Sequence, residues 1–318
     1  MTLIGLSMLA FYLLQSGFAA DPTQDSNRGT LVLVQAVFLS IIAAYCYELK
    51  DKNYSLKIMK KELLFPVILM LLYIIIVLAT GKRGGVIKIA FLLLIAHLYL
   101  SRRKVPYIKI AIAGFVSIGI LAIVGLTRTT DISVSEGIDI LKENKTISPV
   151  TIEHAASVNT LHIALSHYPQ KIEYNLGSTF FPGFSLLVPG LSRLISFLNP
   201  NIIGSEETIT LLYFDGSLPD WSWGLGTSII ADVFISFGII GVIIIFSILG
   251  YFVKYLEVGT FCNKRSPYFL ALSFCVYSQL YLVSRGPVFI LFLSLSYALL
   301  LLLITTKKKP IITDTNRL

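Results

Sequence analysis

Long apolar runs broken by short polar clusters recur along the whole chain, at residues 3–20, 30–47, 63–79, 86–100, 108–126, 229–253, 268–283 and 288–305. Runs of this length match a hydrocarbon core about 30 Å thick, inside which a helix satisfies its own backbone groups. The reading is an all-α, polytopic membrane helix bundle of about eight transmembrane helices. A β-barrel would show short segments of alternating polarity, and there are none. The runs ending at Leu100 and Val283 sit at or below the usual lower length, which fits local thinning of the bilayer or angled packing.

Composition excludes an ordinary soluble domain, because 55% of the residues are hydrophobic and only 14% charged. The net charge of +8 would suggest nucleic acid in a soluble protein, but here the basic residues fill the gaps between apolar runs. Topology explains them, and no nucleic-acid partner is expected. Cys46, Cys262 and Cys275 lack the paired spacing of a metal or disulfide framework and read as packing residues. There is no internal repeat and no low-complexity tract.

Four basic clusters set the orientation: Lys50 to Lys61, Arg102-Arg103-Lys104, Lys254 with Lys264 and Arg265, and Lys307-Lys308-Lys309. Each is separated from the next by two spans, so all can lie in the cytoplasm together with both termini. The first run ends Gly17-Phe18-Ala19-Ala20, like a signal-peptide cleavage site, but no Lys or Arg precedes it, so it is read as a span. The chain then divides into five helices over 1–126, an extracytoplasmic loop with short helices over 127–228, three helices over 229–306 and a basic cytoplasmic tail over 307–318.

The loop carries acids and enough apolar residues to pack on the bundle, so it is no linker. Ser148-Pro149 reads as an N-cap followed by proline at the first helical position, opening a helix to about His167. Pro182-Gly183 and Pro189-Gly190 bracket a short apolar segment, 184–188, suited to the membrane interface.

Three outer segments carry an arginine at the lip: Thr80-Gly81-Lys82-Arg83-Gly84-Gly85, Thr127-Arg128-Thr129 and Ser284-Arg285-Gly286-Pro287. Outer turns are where few basic residues are expected, so a bound anion would supply a reason. Guanidinium forks match phosphate oxygens, and glycines beside Arg83 and Arg285 let backbone approach a ligand. The alternative is that these arginines snorkel to lipid phosphates and anchor helix ends.

His154 and His162 lie two turns apart on the expected loop helix, roughly on one face. Either is a candidate general base, with His154 preferred, or a histidine satisfied inside a folded loop. Asp232, just inside the sixth run, is costly there unless paired or facing water. It is a catalytic candidate, or half of an ion pair with one of the arginines. Lys82, Gly84, His162, Arg193, Trp221 and Trp223 are the candidate substrate-binding residues. No ligand spacing points to zinc or another metal, and no cofactor is expected.

The segment from Phe181-Pro182-Gly183 through Pro189, then Gly224-Leu225-Gly226-Thr227-Ser228-Ile229-Ile230-Ala231-Asp232, then Phe237-Gly238-Ile239-Ile240-Gly241-Val242, resembles the Wzy-type O-antigen polymerases. The turn Gly81-Lys82-Arg83-Gly84-Gly85 is similar to that family's Gly-Ser-Arg-Gly turn. Two features depart from the pattern: Asp232 stands where Glu is common, and the family commonly has more spans, the difference falling on the N-terminal side. A short member or a truncated reading frame is the expectation. The resemblance implies a GT-C-like membrane glycosyltransferase joining oligosaccharide repeat units carried on undecaprenyl pyrophosphate at the periplasmic face of the inner membrane. Membrane lipid and a chain-length regulator are the implied partners. Arginine would neutralise the departing pyrophosphate, with no metal required.

Two rivals are an O-antigen ligase, differing in acceptor, and a transporter or flippase of the same lipid-linked sugar. A carrier would show repeats, and a loop of about 100 residues on one face suits a surface enzyme better.

Overall fold

The computed structural model describes residues 27–49, 64–79, 83–101, 149–185, 203–214, 226–262, 266–284 and 286–305, with isolated positions at 108, 187–188, 191, 194 and 197. These form helices and turns, with no strand among them. In order they are α1 (Asn27–Leu49), α2 (Leu64–Ala79), α3 (Arg83–Ser101), α4 (Pro149–His167), α5 (Phe180–Ser185), α6 (Ser205–Tyr213), α7 (Ile229–Cys262), α8 (Pro267–Gln279) and α9 (Leu295–Thr305). Two 3-10 segments, Leu280–Ser284 and Val288–Phe292, lie between α8 and α9.

Five stretches among the described residues are long and apolar enough to cross a membrane: Val32–Leu49, Gly84–Ser101, Ile229–Phe261, Pro267–Ser284 and Val288–Thr305. A shorter apolar stretch, Leu64–Ile75, lies in α2. Of the other expected spans, 3–20 lies outside the described residues and 108–126 has only its first residue among them. Outward faces agree with a lipid solvent. Leu64, Phe65, Ile68, Leu71, Leu72 and Ile75 of α2 are exposed, as are Ile239, Ile240, Ile243, Ile244 and Ile248 of α7. Apolar surface on that scale is not left facing water by a soluble monomer.

Helix α1 is the hub of the bundle, packing against α2, α3, α8 and α9. In lipid there is no hydrophobic force drawing helices together, so close van der Waals approach and interhelical hydrogen bonds must do it. Ala36, Ser40 and Ala44 recur every four residues and form a small-residue stripe. Ser40 lies close enough to donate to the carbonyl of Ala298 on α9 at 3.1 Å, beside its own helix's Ala36 carbonyl at 2.7 Å. Larger residues close the other sides: Phe38 meets Tyr73 edge-on at 5.4 Å, and Tyr99 of α3 meets Phe274 of α8 at 5.7 Å. Cys46 and Cys275 are buried free thiols, as packing residues should be, and the Cys262 side chain lies outside the described residues.

The loop helix α4 opens at Pro149 and ends at His167, as the sequence signals indicate. Three expectations need correcting. Helix α3 starts at Arg83, three residues before the expected run, so Arg83 is the first residue of a helix rather than part of a turn. Helix α5 covers Phe180–Ser185, starting before the bracketed segment, because Pro182 falls in a first helical turn where its missing N–H costs nothing. The last two spans are not continuous α-helices, since each changes to 3-10 geometry at the end where they face one another.

The sixth run is also not one straight span. The 34 residues of α7 would make a rod of about 51 Å at 1.5 Å per residue. That exceeds the membrane core, and the helix breaks at Gly238, which has φ 66 and ψ −164. The break frees carbonyls, and the segment after α4 takes them: Asn175 N–H donates to Ile235 O at 3.0 Å and Leu176 N–H to Ser236 O at 3.1 Å. A Cβ at Gly238 would lie 2.8 Å from the Tyr174 ring. Glycine is therefore required twice, by its dihedral and by close approach of the loop. Around this joint Ile163 and Ala164 of α4, Ile209 of α6, and Ala231, Phe234 and Ile235 of α7 form a second core.

Gly238→Ala should destabilise the protein by about 1–3 kcal/mol through strain and overlap, read as a lower thermal midpoint in detergent. Gly250→Ala, on the same helix with nothing within 4 Å of the added carbon, should leave it unchanged or higher. Equal behaviour of the two variants would contradict the break.

Candidate functional site

The two glycine-flanked arginine segments are drawn together by residues 197 apart in the chain. The Tyr281 hydroxyl, on the 3-10 segment leading to Arg285, donates to the carbonyl of Gly84 in the first turn of α3 at 2.7 Å. Tyr281 is held there by stacking on Phe91, two turns along α3, at 6.0 Å and nearly parallel. The N-terminus of α3 thus meets the turn between the last two spans. Its first N–H groups have no intrahelical acceptor and carry the positive end of the helix dipole, which favours an anion beside Arg83.

Asp232 fixes the same turn from the other side. It is buried in the first turn of α7, whose N-cap Ser228 accepts from Ala231 N–H at 3.1 Å. One carboxylate oxygen accepts from the Thr179 hydroxyl at 3.2 Å, the other from Val288 N–H at 2.9 Å. Ser236, one turn on, donates to the Asp232 carbonyl and lies 3.0 Å from the Thr179 hydroxyl. Asp232 therefore ties three segments together: the segment before α5 through Thr179, the start of α7, and the backbone three residues past Arg285. Ser205 of α6 is buried, its oxygen without a hydrogen-bond partner among the described residues.

The expected arginine partner of Asp232 is not among the described residues, where its partners are a hydroxyl and a backbone N–H.

Aromatic rings clamp α5 to the second 3-10 segment. Phe289 takes Phe180 at 5.9 Å and Phe184 at 5.6 Å, both edge-on, and Gly183 packs against the same ring. Helix α4 lies beside α6 and the first part of α7. His162 sits exposed on it, and His154 lies two turns earlier on the same helix, its side chain outside the described residues. A third histidine, His167, closes the helix, its Nδ1 2.9 Å from the Ile163 carbonyl. Tyr168 accepts from the Asn175 amide at 3.3 Å, and burial pushes its phenol above the ordinary range against that bond, leaving it a neutral anchor for the loop rather than a base.

Lys82, Arg128, Arg193, Trp221, Trp223 and Arg285 lie outside the described residues, as does the Arg83 side chain. Gly84 is in the site through its carbonyl. Sequence reasoning missed Thr179, Tyr281 and Lys88. The first two are ordinary residues whose importance comes from tertiary contacts. Lys88 had a signal, a lone charge inside an apolar run. Among the described residues no three of His, Cys, Asp and Glu gather in a way that would hold a metal ion.

Against models of protein families, residues 1–313 match the one described as O-antigen polysaccharide polymerase Wzy. No curated protein and no solved structure matches.

Asp232→Ala should leave the Val288 N–H without its acceptor, costing about 1–3 kcal/mol, while the Thr179 hydroxyl keeps the Ser236 hydroxyl at 3.0 Å. Asp232→Asn keeps an acceptor oxygen and should lose less than half as much. Unfolding midpoints of the two variants in detergent decide it, and an Asn variant as unstable as Ala would contradict the tie to the turn.

Proposed function

The chain belongs to the O-antigen polysaccharide polymerase Wzy family, and from that premise we propose that it joins undecaprenyl-pyrophosphate-linked oligosaccharide repeat units at the periplasmic face of the inner membrane. The product is O-antigen or capsular polysaccharide. The chain is a multi-pass membrane protein, and both termini face the cytoplasm on the evidence of its basic loops.

The reaction is a glycosyl transfer. An acceptor sugar hydroxyl forms a bond to the anomeric carbon of the donor, and the bond from that carbon to the pyrophosphate oxygen breaks. The hydroxyl proton goes to a base, and the lipid pyrophosphate departs with the bonding electrons. His154 is the proposed base, on the loop helix packed beside the Asp232 segment. Arg83, Arg285 and Arg128 neutralise the leaving group, with Lys82 and the Gly84 backbone beside them. Transition-state charge of this kind calls for no metal ion when fixed guanidinium groups meet it. Asp232 acts by holding the Arg285 turn. His162, Arg193, Trp221 and Trp223 contact the sugars, and a chain-length regulator is the proposed protein partner.

The observation that carries this reading is the hydrogen bond from Tyr281 to Gly84, because it brings two arginine-bearing segments to one spot at a helix N-terminus. A carrier reading would draw on the broken helix α7. Its freed carbonyls are taken up by the outer loop instead, which supports a fixed surface enzyme. The ligase reading differs in acceptor and has no separate observation in its favour.

Arg83→Ala and Arg285→Ala should each cut polymer formation about 100- to 1,000-fold, the roughly 3–4 kcal/mol expected for losing a transition-state donor. Single repeat units should accumulate on their lipid carrier, with membrane abundance unchanged. Arg→Lys should recover little, because lysine keeps the charge but loses the bidentate fork. Normal polymer length in both alanine variants at normal abundance would return these residues to simple lipid anchors.

A further inference from the structure

Lys88 is a buried cation inside the helix bundle. Its ammonium donates to Gln35 Oε1 of α1 at 2.9 Å, and Gln35 Nε2 in turn donates to the Tyr73 hydroxyl of α2 at 3.2 Å. Three helices meet through this chain, yet every partner in it is neutral. No carboxylate pairs with Lys88 among the described residues. An ammonium offers three protons, of which the Gln35 bond uses one. An intramembrane cation without a counter-charge is expensive, and such a residue marks a ligand or ion site by default.

The ammonium also lies at the right depth. Side chains on a helix lean toward its N-terminus, so Lys88 reaches back toward the turn that Arg83 opens. Its acceptor shows where it arrives: a Cβ built at Gly85 would lie 3.3 Å from Gln35 Nε2 and 2.9 Å from the Tyr73 hydroxyl. The polar chain is therefore level with the first turn of α3, next to the Gly84 carbonyl that receives Tyr281. Gly84 and Gly85 put no side chain over it.

We propose that Lys88 is a further cation of the phosphate site, its ammonium binding a non-bridging oxygen of the lipid-linked diphosphate from the membrane side while Gln35 and Tyr73 orient it. The inference rests on the reading of the site given above and adds a binding residue on the inner side. It explains why a costly charge sits in the bundle beside the convergence of the two arginine segments. A diphosphate spanning the turn would then meet positive charge from the lip and from below, which a neutral lipid headgroup would not exploit.

The test uses the full chain in phospholipid-free detergent, titrated with farnesyl diphosphate as a short polyprenyl diphosphate. Lys88→Met should weaken binding at least about tenfold while leaving the ligand-free unfolding midpoint equal or higher, because an apolar side chain of similar length replaces a buried charge. Gln35→Glu, which sets a carboxylate beside the ammonium, should weaken binding similarly with the fold intact. Wild-type affinity in both variants would overturn the proposal, as would a Met variant that fails to fold alongside a Glu variant that binds normally. Dioleoylphosphatidylglycerol should compete poorly. Equal, Lys88-dependent competition by it would assign the site to ordinary lipid and overturn the assignment to diphosphate. If the wild-type protein does not bind farnesyl diphosphate, the reading of the site fails together with this inference, which separates that failure from the loss of the Lys88 role alone.

Discussion

A backbone N–H or carbonyl inside a bilayer has no water to turn to, so each departure from regular helix must be answered by another part of the protein. This chain departs from helix at three places around one spot. The break at Gly238 frees the Ile235 and Ser236 carbonyls, which take N–H groups from Asn175 and Leu176. The second 3-10 segment begins with the N–H of Val288, which finds the Asp232 carboxylate. The first 3-10 segment carries Tyr281, whose hydroxyl donates to the Gly84 carbonyl in the first turn of α3.

Those three answers build the site. The segment at Asn175 and Leu176 is fixed because it takes up the carbonyls freed in α7. The turn carrying Arg285 is fixed because a buried carboxylate holds its following residue. Helix α3 presents its N-terminus to that turn because Tyr281 bridges them. The polar groups that satisfy irregular backbone are therefore the same ones that bring loop, helix end and arginine segments together. Around them α1 supplies a rigid hub, its small-residue stripe letting α9 approach closely enough for Ser40 to reach across.

Much of the helical layout was legible in the runs, and the loop helix was legible down to its ends, because Ser148-Pro149 and the pattern behind it are local signals. The break at Gly238 was not, since 229–253 is apolar throughout and glycine occurs in ordinary transmembrane helices. The 3-10 segments escaped for a similar reason: the two helix types share composition and differ in hydrogen-bond register. Asp232 stood out as an acid in an apolar run, but its partners did not, because a hydroxyl 53 residues away and a backbone N–H leave no mark in sequence. Lys88 was equally visible and was passed over as part of its run. The arginines near Gly84 and Gly286 could be singled out one by one, whereas their convergence depends on Tyr281, which nothing in its neighbourhood distinguishes.

The central claim is that Arg83 and Arg285 serve one phosphate group rather than two separate anchoring points. A double-mutant cycle tests it most directly, with farnesyl diphosphate affinity measured for Arg83→Ala, Arg285→Ala and the pair. If they share the ligand, the double variant should bind little worse than the weaker single variant, a coupling of about 1 kcal/mol or more. Losses that simply add would mean two independent sites and would contradict the claim.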